Sequence, residues 1–479
     1  MTRVCHLCIA LLGIAAYAAF AAAQQEPPAS PITSAREYFG AYGIDFGTLR
    51  LLVDSRELQA EELDPVLQIL ARIPRISADE YQAWQKTDLQ PERFEKDASD
   101  LRAEAMRLQG RAKRVVKNKL ETAQEERYQF EDYFQVELEL DGYGPAIVYA
   151  REVPAQWRQS LLDKAIDERV SLWGIFLKFG AAAEGKRPPL YFAANRLAWH
   201  PDREDAALQI TPAIQLLGDL GVDVSLLSTA IDQQPLRAEE REAFYEVLRA
   251  AVKADPQKLA KAAANHASLA PLLTQPKEQR GQLVSIEGTI HRATKILIDE
   301  PDIRKQLGID HYYELVIFVP ERIRYKQGKD GPEVLYDTFP VVACVATLPK
   351  ELPVDEDISE TVRVTGFYFK LYAYSSQFMQ KQLAERKLPG ELRQHSPLVI
   401  APLVAWVPRK KPEENTMAGP LAFIVVAIVI IAAIWGFASL RGSPTDLLQT
   451  PPKIAPPEGA EEPPAKEGMP QIKSHPPNL

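Results

Sequence analysis

The stretch V-R-V-T-G-F-Y-F-K-L-Y-A-Y at residues 362–374 has an earlier echo, V-S-L-W-G-I-F-L-K-F at residues 170–179. Each copy puts a glycine in mid-strand, Gly174 or Gly366, and a lysine four residues later, Lys178 or Lys370. Each follows an apolar segment that ends in proline, and each is followed by P-L-[YV]-[FI]-A and then A-W. A chain that carries one β-rich unit twice is constrained to fold as two similar modules rather than one large core. The expected architecture is therefore α+β, a tandem duplication of one module.

A second echo supports this. Gly40 opens G-A-Y-G-I-D-F-G-T-L and Gly218 opens G-D-L-G-V-D-V-S-L-L, an offset of 178 (218 − 40). In the same ungapped register Gly43 matches Gly221, Asp45 matches Asp223 and Asp54 matches Asp232. Leu58, Ala60, Glu61 and Glu62 match Leu236, Ala238, Glu239 and Glu240. Between Gly174 and Gly366 the offset is 192 (366 − 174), so the second copy is about 14 residues longer, an excess placed in residues 309–337. The G-x-x-G follows no strand and lacks the third glycine of a dinucleotide loop, so it is read as a turn at a helix start.

The first module spans residues 32–201, with a helical half at 36–110 and a β half at 113–201. The second spans 210–408, helical at 210–275 and β at 281–408. Apolar residues at helical spacing, such as Leu63, Val66, Leu67, Leu70 and Ile73, mark the first helical half. A charged helix is expected over residues 91–110 and another helix over 157–166. Alternation in F-Q-V-E-L-E-L at 134–140, closed by Asp141-Gly142, marks a half-buried strand. A hairpin is expected at Gly328 to Gly331. The patterns L-V-S-I-E-G-T-I and V-R-V-T-G-F-Y resemble the OB-fold, a five-stranded Greek-key barrel, with a small sandwich or an SH3-like barrel as alternatives. The resemblance covers roughly 90 residues per copy, rests on strand pattern alone, and implies a binder of oligonucleotides, oligosaccharides or proteins.

The termini speak to location. Residues 1–23 carry an early Arg3, an apolar run and Ala21-Ala22-Ala23, the form of a secretory signal. Cys5 and Cys8 lie inside it, which leaves Cys344 in an apolar run as a buried, inert thiol. Residues 421–440 are twenty residues without a charge, enough for one transmembrane helix of about 30 Å. The large domain is expected outside the cytoplasm. The Pro- and Glu-rich residues 442–479 form a disordered cytoplasmic tail. The whole is expected to be a bacterial single-pass protein of the cytoplasmic membrane, with the bilayer and other envelope proteins as partners.

With a net charge of −9, nucleic acid is not expected as a partner. No H-E-x-x-H, G-x-S-x-G or phosphate-binding P-loop is present, and His200, His266, His291, His311, His395 and His475 are scattered. The expectation is a non-enzymatic interaction or scaffold module without cofactor or metal. A binder of envelope glycan is the alternative, and an enzyme with a site assembled only in space comes third. The candidate ligand surface is the repeated strand. Alternation places Val362, Val364, Gly366, Tyr368, Lys370, Tyr372 and Tyr374 on one face, opposite Phe367, Phe369 and Leu371. The candidate residues are Phe176, Lys178, Tyr368, Lys370, Tyr372 and Tyr374, aromatics around a lysine that suit stacking on sugars or bases.

Overall fold

The computed structural model describes residues 32–87, 91–263, 268–326, 333–354, 356–376, 393–407 and 428–433. The expected signal, the hairpin tip at 328–331 and the tail lie outside them. Of the expected span at 421–440 only 428–433 are described, and they are helical. Among the described residues no helix is long and apolar enough to cross a membrane.

Residues 32–407 form a mixed α+β body around two barrels. The first has strands β1 (Ala105–Lys119), β2 (Asp132–Leu140), β3 (Gly144–Glu152), β4 (Ala165–Phe179), β5 (Leu190–Arg196) and the short β6 (Ala198–Trp199). Their order is β1-β2-β3-β5-β4-β6, and a β1–β4 pairing closes the sheet. The second has β7 (Leu283–Leu297), β8 (His311–Val319), the hairpin β9 (Ile323–Lys326) and β10 (Glu333–Tyr336), β11 (Phe339–Thr347), β12 (Glu356–Tyr374) and β13 (Gln394–Trp406). It closes in the order β11-β13-β12-β7-β8. Substituting β7, β8, β11, β12 and β13 for β1 to β5 makes the two orders the same, down to one parallel pair, β3–β5 and β11–β13. Counterpart starts lie 179 residues apart at β2 and β8 (311 − 132) but 195 apart at β3 and β11 (339 − 144). The extra length of the second barrel is the β9–β10 hairpin, inside the expected segment.

Each barrel is filled by one face of every strand. Leu108, Val136, Val148, Leu172, Phe176 and Phe192 fill the first. Ile286, Leu315, Ile317, Val364, Tyr368 and Val399 fill the second. A helix packs on the outer face of each. In the first module Leu63–Arg72 sets Val66, Leu67 and Leu70 against Ile175, Leu177 and Tyr191. In the second, Arg241–Lys253 sets Phe244, Val247 and Leu248 against Phe367, Phe369 and Ile400. Both helices show the 3–4 apolar spacing of a one-faced helix.

Two local expectations are corrected. The helix expected through residue 110 stops at Leu101; Ala103 takes a left-handed φ of 64°, and β1 begins at Ala105. Strong helix formers lose there to tertiary context, because alternation puts Met106 and Leu108 into the barrel. The helix expected over 157–166 is Ala155–Ser160, and β4 takes over from Ala165.

Candidate functional site

The two repeated lysines lie at the centre of matching constructions. Asp54 and Asp232 follow a loop that doubles back toward β4 and β12. Asp54 accepts from Phe179 N–H at 3.2 Å and from Arg102 Nη2 at 2.6 Å. Asp232 accepts from Leu371 N–H at 2.9 Å and from Arg280 Nη2 at 2.7 Å. A 3₁₀ turn, Ala60–Glu62 or Ala238–Glu240, then delivers a glutamate. Glu62 accepts from the N–H groups of Val53 (2.5 Å) and Gln59 (2.8 Å), Glu240 from those of Ile231 (2.6 Å) and Arg237 (2.8 Å). The lysine arrives from the barrel. Lys178 Nζ lies 3.0 Å from both Glu62 oxygens, and Lys370 Nζ lies 2.6 Å from Glu240 Oε1. Both lysines and both glutamates are buried. Burial works against the Glu62 carboxylate, yet its two backbone donors and Lys178 hold its pKa below the usual value. Burial lowers the pKa of both lysines, and the paired glutamate opposes that shift.

This arrangement places every residue singled out on the repeated strand. Lys178 and Lys370 face glutamates inside the protein rather than a ligand. Phe176 and Tyr368 point into the barrels, and the Tyr368 hydroxyl donates to Leu272 O at 3.0 Å. Tyr372 and Tyr374 are half-buried, stacked on each other at 5.8 Å. The expectation of one alternating face is corrected by bulges at Phe176/Lys178 and Tyr368/Lys370. After the bulge Leu371 joins the barrel interior, whereas Tyr372 and Tyr374 pack on the helix side. A bulge adds a residue to one strand, so the two-residue period changes phase there. Lysine and aromatics therefore do not share one open face. Arg102 and Arg280, again 178 apart (280 − 102), were not singled out. The signal that could have found these pairs was the charged identities Asp54/Asp232 and Glu62/Glu240, since a repeat preserves partners together.

The exposed face of the first helical half is the apolar surface that stands out. Tyr42, Phe46, Leu51 and Val53 are all exposed, Phe46 at 60%. Arg72 lies over the Tyr42 ring and Arg50 over Phe46, at 4.9 and 5.9 Å. A second feature is a shallow 650 Å³ cleft lined by Arg304, Lys305, Asp310, His311 and Tyr313. There His311 contacts Asp310 through Nδ1, and Nε2 lies 3.2 Å from the Tyr313 hydroxyl. Asp310 is held below its usual pKa by His311. His291 is elsewhere, edge-on to Phe318 at 4.6 Å. Cys344 is buried between barrel and helix, as expected, and burial raises its pKa.

No family model matches the chain, and no curated protein matches it. Among solved structures it is similar to a small single-stranded DNA-binding protein from Streptomyces coelicolor, at 11% identity. That match covers 26% of this chain and 91% of the other, with a TM-score of 0.14. It is also similar to a single-stranded DNA-binding protein from Thermus aquaticus, at 10% identity, over 64% of this chain and 94% of the other, with a TM-score of 0.15. The expectation that nucleic acid has no place among the partners is corrected by these matches. Its physical basis was too coarse, because a net charge summed over a whole chain does not describe the charge of one barrel face. At such TM-scores the matches argue for no ligand of their own, and what they leave in place is a mixed α+β chain with OB-like barrels.

Proposed function

We propose that this chain is a tandem duplication of one α+β module that serves as a non-enzymatic interaction scaffold of the cell envelope. It is exported by residues 1–23 and held by a single span at 421–440. The observation that carries the reading is the exposed apolar face of Tyr42, Phe46, Leu51 and Val53, on a scaffold whose repeated charged residues are consumed by internal pairs. An apolar patch kept in water, rimmed by arginine, is the usual mark of a protein contact. The duplication is supported by matching strand orders and by hydrogen bonds that recur between equivalent residues, shifted by 178 positions in the helical halves and by 192 in the repeated strands. The test is chemical cross-linking in intact cells followed by capture of the full chain, wild type beside Phe46→Glu/Leu51→Glu. Envelope proteins held by the wild type and lost by the variant are expected. An unchanged set, or recovery of the chain from the cytosolic fraction, overturns the reading.

A second reading rests on the Asp310–His311–Tyr313 chain, an arrangement that orients an imidazole between a carboxylate and a hydroxyl. It makes the chain an enzyme acting at the Arg304/Lys305 cleft on an anionic substrate. Metabolite-library turnover abolished by His311→Ala, with capture of partners unaffected, would separate it from the first.

A further inference from the structure

The contact between the two modules has a matching surface that no described residue covers. At the end of the first barrel, Ala198-Trp199-His200-Pro201 lies against the second helical half. Trp199 N–H donates to Asp223 Oδ1 at 2.9 Å, and Arg196 pairs with the same carboxylate. His200 Nδ1 lies 2.9 Å from Val222 O. Gly218 packs so closely that a Cβ there would collide with the Pro201 carbonyl. Val224 is buried in this junction, at 4% exposure.

The first helical half repeats the receiving surface, and among the described residues nothing is seated on it. Gly40 stands where Gly218 does, and a Cβ on it would meet nothing within 4 Å. Asp45, the counterpart of Asp223, is exposed and caps only its own turn through Thr48. Phe46, the counterpart of Val224, is exposed.

The second barrel repeats the inserting segment. Its sequence there is Ala405-Trp406-Val407-Pro408. Trp406 pairs with Val362 as Trp199 pairs with Val170. The Trp406 indole donates to Glu360 at 3.0 Å, as Trp199 donates to Glu168 at 2.8 Å. Val407 N–H donates to Thr361 O as His200 N–H donates to Arg169 O, both at 2.9 Å. Two exchanges run together: Leu403 replaces Arg196 on the inserting side, and Phe46 replaces Val224 on the receiving side. The arginine of the first junction's ion pair is leucine in the second barrel, while its aspartate is kept as Asp45.

The geometry points to a second copy of this chain as the occupant, its 403–407 end seated on the Gly40–Asp45–Phe46 face. This rests on the interaction-scaffold reading and names the partner. Because the two surfaces differ, the contact is heterologous, and it propagates head to tail unless it closes into a ring.

The test is sedimentation of the full chain in mild detergent over a range of concentrations, with Gly40→Ala and Val407→Asp. In the single molecule the added Gly40→Ala methyl has open space, so folding is kept, whereas the equivalent Gly218 at the first junction leaves no room for a Cβ. The wild type is expected to grow in mass with concentration, each variant to stay monomeric with unchanged melting, and an equimolar mixture of the two to stop at dimers. A wild type that stays monomeric, association insensitive to both variants, or a mixture that stays monomeric overturns the inference. Sedimentation reads self-association, whereas cross-linking in cells reads the capture of other envelope proteins and the membrane fraction, so the failure of one is told apart from the failure of the other.

Discussion

Lys178 and Lys370 show what a buried charge costs and how this fold offsets it. Each lysine is removed from water and compensated by one glutamate whose remaining lone pairs are taken by two backbone N–H groups. Removing one partner of such a pair leaves an uncompensated buried charge, a loss of about 3–5 kcal/mol. Lys178→Ala and Lys370→Ala should each destabilise by that amount in urea titrations, whereas Lys178→Met/Glu62→Leu should recover most of the loss. Histidine burial gives a second prediction. His395 contacts the Tyr325 hydroxyl at 2.9 Å, and burial lowers its pKa to about 4; His200 is lowered by burial as well. Such a group binds more protons when unfolded. Its contribution is therefore full above about pH 6.5 and is lost as pH falls toward 4, about 3 kcal/mol for His395. Glu168 and Glu314, raised by burial, act in the opposite sense. The measurement is accordingly the stability difference between wild type and His395→Asn, which should shrink as pH drops from 7 to 4.

At the scale of elements, the mid-strand glycines were legible in the sequence but their reason was not. A Cβ on Gly366 would strike the Ile400 carbonyl across β13, and one on Gly174 would press Leu108 and Phe192. The requirement is close approach between strands. Gly366→Ala should therefore cost about 1–3 kcal/mol, as overpacking does, read from the shift in melting temperature. Gly110 and Gly288, 178 residues apart (288 − 110), also sit on neighbouring carbonyls, those of Glu139 and Phe318; Gly288 lies in the expected strand L-V-S-I-E-G-T-I, and its counterpart Gly110 is hidden at the end of a segment that reads as helix. The bulges were equally hidden. Alternation in the sequence continues through Tyr368-Phe369-Lys370, and only the pairing across to β13 shows where the phase changes.

At the scale of the molecule, the two modules share one apolar cluster that runs from the first barrel through Trp157 and Trp199 to Val224 and Phe244. Asp223 holds this junction by its bonds to Trp199 N–H and Arg196. Asp223→Ala leaves a buried donor without a partner, at about 1–3 kcal/mol, and releases the modules. Calorimetry should then resolve two transitions where the wild type shows one.

The sequence by itself determined that a strand motif and a glycine–aspartate segment each recur along the chain, that helical and β-rich stretches alternate in outline, and that the later stretch is longer by about 14 residues. Periodicity, glycine placement and repeated identities are local quantities, and they survive without coordinates. What only the tertiary structure decided was the partner of each repeated charge and the side of the barrel on which each strand residue falls. It also decided which of two matching surfaces is covered. Those depend on contacts between residues more than 100 positions apart, such as Glu62 with Lys178, and on single-residue bulges. Neither leaves a period in the chain to be read.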